Sequence, residues 1–165
     1  MYRYFILFLF ISACGFQPIY SQNFNFSTAD ELASISIEPI EGELGNKLHL
    51  KLKEAFNPLK KSMPIQYKLH IKLIPILTPA VIIPNSQILN YTSIIKVEYK
   101  LIDNQNNKEI SEGTITSSDS YYASSSEFAT FTSNQTSIEN TFKQISDNMK
   151  NKLTAFLTNT KLNSH

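Results

Sequence analysis

Between Ile65 and Leu73 the chain alternates without a break: Ile65, Tyr67, Leu69, Ile71 and Leu73 are apolar, and Gln66, Lys68, His70 and Lys72 are polar. A period of two puts every second side chain on the same face of a pleated strand. Such a strand has one buried and one wet face, so it belongs to a sheet covered on a single side. The pattern returns at Ile95, Val97, Tyr99 and Leu101 against Lys96, Glu98 and Lys100. Two strands of this kind exclude an all-helical chain. They also restrict register, because a slip by one residue would turn the whole apolar set into water.

The material that covers the buried face flanks these strands. Leu44, Leu48, Leu52, Ala55 and Phe56 recur at helical spacing with Lys47, Lys51 and Lys53 between them, and Asn57-Pro58 ends the run. Phe128, Phe131, Ile138, Phe142, Ile145, Met149, Leu153 and Phe156 trace one face of a long helix from about Glu127 to about Thr158, with Ser124 and Glu127 spaced as a capping box. Thr130, Thr132 and Thr136 lower its intrinsic propensity. Ile35 and Ile37 alternate with Ser34, Ser36 and Glu38 as a short first strand, while residues Gln17 to Thr28 show no helical period and read as a tether that partly docks. Asp103-Asn104-Gln105-Asn106-Asn107 supplies the turn of a hairpin whose last strand, within residues 109 to 120, carries Gly113 as a bulge or edge marker. The order β-α-β-β-β-α predicts an α+β fold, a small mixed or antiparallel four-stranded sheet with two helices packed on one face.

Charge and motif content exclude several classes of function. Fifteen Lys and Arg against 14 Asp and Glu leave +1, too little to recommend nucleic acid as a partner. A chain of 165 residues makes one domain that needs neither metal nor disulfide for stability, and one cysteine forbids an internal disulfide. His49, His70 and His165 are scattered, and no Gly-x-Ser-x-Gly, His-Glu-x-x-His or phosphate-binding loop occurs. No catalytic residue, metal site or cofactor is expected. At the amino terminus the apolar run Phe5 to Ile11, preceded by Arg3 and followed by Ser12-Ala13, reads as a secretory signal peptide. It is too short to span a bilayer. Cys14 stands directly after Ile11-Ser12-Ala13 and resembles a bacterial lipobox, in which the thiol is alkylated by a diacylglyceryl group, the peptide is cut before it and the new amino group is acylated. Gly15, in place of the Asp that would retain a lipoprotein at the inner membrane, implies the outer membrane. The expected organisation is a signal peptide over 1–13, a lipidated tether over 14–28, one α+β domain over 29–160 and a tail over 161–165.

The stretch Cys14-Gly15-Phe16-Gln17-Pro18-Ile19-Tyr20 is similar to the Cys-Gly-Phe-x-Pro-Leu-Tyr opening of the LPS-assembly lipoprotein family (LptE, also called RlpB), through Gly15, Phe16, Pro18 and Tyr20. Tyr99-Lys100-Leu101-Ile102-Asp103, Glu112-Gly113-Thr114, Ser120-Tyr121-Tyr122 and Phe128-Ala129 continue the resemblance in order. The chain departs from it in Ile19 for Leu, and in a last helix with Asn, Thr and Lys where such proteins have Ala, Glu and Arg. The resemblance implies a non-catalytic outer-membrane lipoprotein that sits inside the β-barrel LptD, helps it assemble and meets lipopolysaccharide on its way out. The alternative is a periplasmic adaptor lipoprotein that activates a cell-wall synthase or serves a lipid transporter. It would share the anchor but not the motifs at both ends. A secreted hydrolase would need a nucleophile constellation that the chain lacks.

Two groups of residues carry an expectation of contact beside a plain one. Lys68, His70, Lys72, Lys96 and Lys100 share the polar face of the sheet, where they meet lipopolysaccharide phosphates as point charges or are simply solvated, with Glu98 interrupting the cluster. Pro75 to Pro84 is too apolar for a solvated loop. Either it touches the barrel or acyl chains through residues such as Ile82 and Ile83, or the second strand continues and Val81 to Ile83 fold back under the helices.

Overall fold

A computed structural model describes residues 26–79 and 89–162. The signal peptide, Cys14, the motif residues Gly15, Phe16, Pro18 and Tyr20, and Ile82 and Ile83 lie outside the described residues. Seven elements follow in order: α1 (Phe26–Ala33), β1 (Ile35–Ile37), α2 (Gly42–Phe56), β2 (Tyr67–Pro79), β3 (Leu89–Asp103), β4 (Glu109–Ala123) and α3 (Glu127–Leu162). The expected α+β architecture is present, with one helix more. α1 occupies residues assigned to the tether from position 26 onward. Its 8 residues make only about two turns, too few for a period to show in sequence.

The sheet runs β1-β2-β3-β4, with β1 parallel to β2 and the other pairs antiparallel. Register puts Leu69 beside Leu101, and Val97 beside both Leu73 and Ile115, so the alternating apolar sets share one face. That face is buried. Leu69, Ile95, Val97, Tyr99, Leu101 and Ile115 meet Leu48, Leu52 and Phe56 of α2 and Phe142, Ile145, Met149 and Leu153 of α3 in a single core, with Leu32 of α1 added. α3 lies along β4, and α2 fills the space between α3 and β1.

Local chemistry sets the ends of these elements. Asn57 stops α2: its side-chain amide donates to Lys61 O at 2.8 Å and accepts from Lys61 N at 2.9 Å, closing a loop that Lys61 ties to Asp30 at 2.7 Å. At the β3–β4 turn Asp103 Oδ1 accepts from Gln105 N at 2.7 Å, and Asn107 takes a φ of 57°, a left-handed position that Asn tolerates. The register shift lies between Leu101 and Ile102, which pair with Ser111 and Glu109, so Ile110 is the extra residue. Gly113 is therefore an edge glycine and not the bulge. The helix cap also differs from the expected box. Ser126 Oγ, not Ser124, accepts from Ala129 N at 3.3 Å, and Ser124 instead bonds to Ser126 and Thr130. α3 is continuous over 36 residues despite its threonines. Thr132, Thr136, Thr141, Thr158 and Thr160 each donate to the carbonyl four residues back, which satisfies the hydroxyls without a break in the helix.

β1 is short, so among the described residues β2 has a neighbour on that side only at Tyr67 to Leu69. Leu69 O accepts from Glu38 N, which turns the odd-numbered peptide groups of β2 away from β3. Pro75 and Pro79 fall on this open edge, where a missing N–H costs no ladder bond and discourages a stray strand. The other edge, β4, is blunted differently: Lys152 Nζ donates to Thr114 O at 3.1 Å, and Ser120 N donates to Asp119 Oδ1 at 2.9 Å.

Candidate functional site

The face of the sheet turned away from the helices brings charged side chains from three strands together. Its cross-strand rows read His70–Lys100–Glu112, Lys72–Glu98–Thr114 and Ile74–Lys96–Thr116, with Lys68 beside Ile102. The five basic residues picked out by sequence do share this face. The structure also supplies their partners: Lys96 bonds to Glu98 at 2.7 Å, Lys100 to Glu109 at 2.7 Å with Glu112 at 3.8 Å, and His70 Nδ1 lies 3.0 Å from Glu38. The hydrogen bond and charge of Lys96 hold the Glu98 carboxyl below the usual carboxylate range, and those of Glu109 raise the Lys100 ammonium above its usual value. Four lysines and four glutamates thus share this face, and the shallow open groove of about 570 Å³ on it is lined by Lys72 and Lys100 against Glu38, Glu98 and Glu112. A phosphate would find no excess of positive charge there, and the geometry favours the solvated reading. Lys68 and Lys72 have no ion pair among the described residues.

Further along the strands the surface changes character. No Asp, Glu, Lys or Arg occurs from Leu73 to Ile95, and between Gly113 and Ile138 only Asp119 and Glu127 are charged. Register brings these stretches together at one end of the molecule, in rows from Pro75–Ile95–Ser117 to Leu89–Ala123. At about 3.3 Å per residue this uncharged end is about 20 Å long. Asp119 is occupied locally, accepting from Asn140 Nδ2 at 3.0 Å. On the inner face Tyr91 stacks on Tyr121 with ring centroids 5.5 Å apart. On the outer face Thr92 and Ser120 hydroxyls lie 3.2 Å apart beside exposed Tyr122 and Ile76. The first turns of α3 add Phe128, 80% exposed, and Phe131. Hydroxyls and amides from β4 and α3, among them Ser120, Thr132, Thr136 and Asn140, line a groove between the two elements.

The sequence carried Tyr121 and Tyr122 only within a family motif and singled out the apolar stretch from Pro75, but the end as a unit was missed. The signal was present as the charge gap itself, yet only register shows that two gaps far apart in sequence coincide. The stretch divides: β2 continues through Pro79, as one of the two readings has it, and the rest lies outside the described residues. No group of three or more His, Cys, Asp or Glu able to hold a metal occurs among the described residues, and no described helix is long and apolar enough to cross a membrane.

No family model matches the chain. It is 30% identical over 125 residues to the uncharacterized protein RP188 of Rickettsia prowazekii (strain Madrid E), a match that covers 76% of each. Among solved structures it is similar to a "putative lipoprotein" from Caulobacter crescentus CB15, with a TM-score of 0.65 and 19% identity over 80% of this chain and 96% of that one. Rare lipoprotein B from Shewanella oneidensis gives a TM-score of 0.61 and 14% identity over 77% and 98%. A minor lipoprotein from Acinetobacter baumannii gives 0.50 and 16% over 73% and 91%. At these identities the likeness is one of fold.

Proposed function

On the premise that the chain belongs to one family with RP188 of Rickettsia prowazekii, we propose that it is a non-catalytic lipoprotein, anchored through Cys14 to the periplasmic side of the outer membrane. Its work is to occupy the lumen of the β-barrel LptD and help it assemble, so that lipopolysaccharide reaches the cell surface. The lipobox at Ile11 to Cys14, the motif from Cys14 to Tyr20 and a fold similar to that of rare lipoprotein B support this reading.

The observation that carries it is the uncharged end. A surface that is to be covered by another protein must give up its water, and each unpaired charge lost from water costs several kcal/mol. Hydroxyls and amides re-form their hydrogen bonds with a polar wall at little cost, and the interior of a transmembrane barrel is such a wall. Here about 20 Å of sheet and the adjoining turns of α3 offer Ser, Thr, Asn and Tyr with two acids, Asp119, which accepts from Asn140, and Glu127 in the first turn of α3. The charged rows stay at the opposite end, where solvent remains.

The test is purification of a carboxy-terminally tagged full-length protein from its own membranes in mild detergent, with mass spectrometry of what accompanies it. A large heat-modifiable barrel in near-equal amount is expected. A cell-wall synthase or an inner-membrane transporter, with no barrel, would overturn the reading in favour of an adaptor role.

A further inference from the structure

α2 buries Gly45, Leu48, Leu52 and Phe56 along one stripe. Leu50 lies about 200° around the helix from Leu48 and cannot reach the core, and it is 69% exposed. Leu59, in the loop after α2, is 76% exposed. Single surface leucines need no explanation, but Leu50 lines a groove with Lys53, Pro58, Lys60 and the outer edge of β1, and Leu59 lies in the loop that forms one wall of it. Leu59 stands between two of those lining residues, in a fixed loop. Lys60 N donates to Asn57 O at 3.1 Å, the Asn57 side chain bonds both polar groups of the Lys61 peptide, and Lys60 holds a φ of 50°, a left-handed conformation that costs a non-glycine residue free energy. Backbone strain and side-chain bonds together present an apolar side chain to the outside. Lys53 and Lys60 flank it with no ion pair among the described residues, and Glu54 is the one acid in the lining.

The geometry points to a lipid surface as the occupant of this patch: Leu50 and Leu59 enter the boundary between headgroups and acyl chains, and Lys53 and Lys60 bind anionic headgroups. Lysine stems lie along apolar material while their ammonium groups stay at the phosphates, which suits this pairing of residue types. Chain length supports the choice. α1 supplies Leu32 and Ala33 to the same groove, and the residues from Cys14 to Phe26 span at most about 40 Å when fully extended. An anchor at Cys14 therefore keeps the patch near the bilayer, where even a weak surface affinity is enough. This orientation rests on the anchor proposed above, and the attraction of the patch to lipid is separable from it.

The chain's single cysteine makes the test direct. Leu59→Cys, labelled with an environment-sensitive fluorophore, is mixed with vesicles of phosphatidylethanolamine and phosphatidylglycerol that contain spin-labelled lipid. Ser118→Cys serves as the control at the uncharged end. Expected are a blue shift and quenching at position 59 and none at 118, with vesicle affinity falling about fivefold for each of Lys53→Glu and Lys60→Glu and about tenfold for Leu50→Ser. Absence of quenching at 59, quenching unchanged by the lysine substitutions, or a blue shift without lipid that tracks formation of a dimer would each overturn the assignment. Labelling of the wild-type protein reads the anchor independently: uptake of dye at Cys14 would sink the anchor, and the response at position 59 would still decide the patch.

Discussion

Gly45 is a small residue with a large consequence. It opens the buried stripe of α2, and a Cβ built there would lie 2.6 Å from Ile40 O and 2.8 Å from Ile40 Cγ2. The carbonyl is backbone and cannot swing aside. Alanine should gain about 1 kcal/mol of helix propensity and lose about 1–3 kcal/mol to overpacking. Gly45→Ala is therefore expected to lower stability by up to about 2 kcal/mol, measured as an unchanged urea m-value with a lower midpoint. Gly113 is held less strictly, because the atom nearest to where a Cβ would lie is the Tyr99 hydroxyl at 2.8 Å, the end of a side chain and not backbone. Sequence showed Gly113 as a strand marker but gave no sign of Gly45, because a close approach between helix and preceding chain is a tertiary fact. His49 supplies a pH effect. Burial, and then the charge of Lys53, lowers its pKa below the ordinary histidine value of 6.5. Folding then disfavours the protonated ring, so the contribution is neutral above the unfolded pKa and becomes destabilising as pH falls through the folded one. Urea midpoints between pH 7.5 and 5 should fall less steeply in His49→Gln than in wild type.

At the scale of elements, α3 is the main cover of the sheet. Phe142, Ile145, Met149 and Leu153 are all nearly inaccessible. Phe142→Ala should cost about 3–5 kcal/mol, a large part of the stability of a domain this size, and thermal denaturation of the variant checks it. The same helix shows what a sequence does and does not disclose. Its apolar face was legible from Phe128 to Phe156 because the period of 3.6 persists over many turns. That Phe128 and Phe131 stand in solvent was not, because periodicity identifies a face and not what lies opposite. The strands behave alike. Alternation located the covered parts of β2 and β3, but both run on past them, β2 to Pro79 and β3 back to Leu89. Sheet continues there on backbone pairing and a few cross-strand side-chain contacts, Tyr91 with Tyr121 and Thr92 with Ser120, without the strict apolar–polar alternation that makes a strand visible in sequence.

Over the whole molecule the strands pass from a charged end to an uncharged one, and the proposed barrel contact depends on that division. A lysine placed at Ser118, on the outer face of the uncharged end, should leave the melting temperature within about 2 °C of wild type, since exposed substitutions rarely exceed 0.5 kcal/mol. Recovery of the barrel with tagged Ser118→Lys should nevertheless fall, whereas Lys72→Ala in the charged rows should leave it unchanged. Equal recovery from both variants would contradict the proposed contact. A division of this kind also gives one strand two lifetimes. Val97, Tyr99 and Leu101 of β3 lie under the helices, while Asn90 to Ile94 of the same strand are half-exposed. Amide hydrogens near Leu101 should exchange with deuterium only through global unfolding, and those toward Asn90 through local opening of the hairpin. A bound partner that covers the uncharged end should slow the fast class selectively, so the exchange gradient along β3 would record occupancy of that end without any label placed on it.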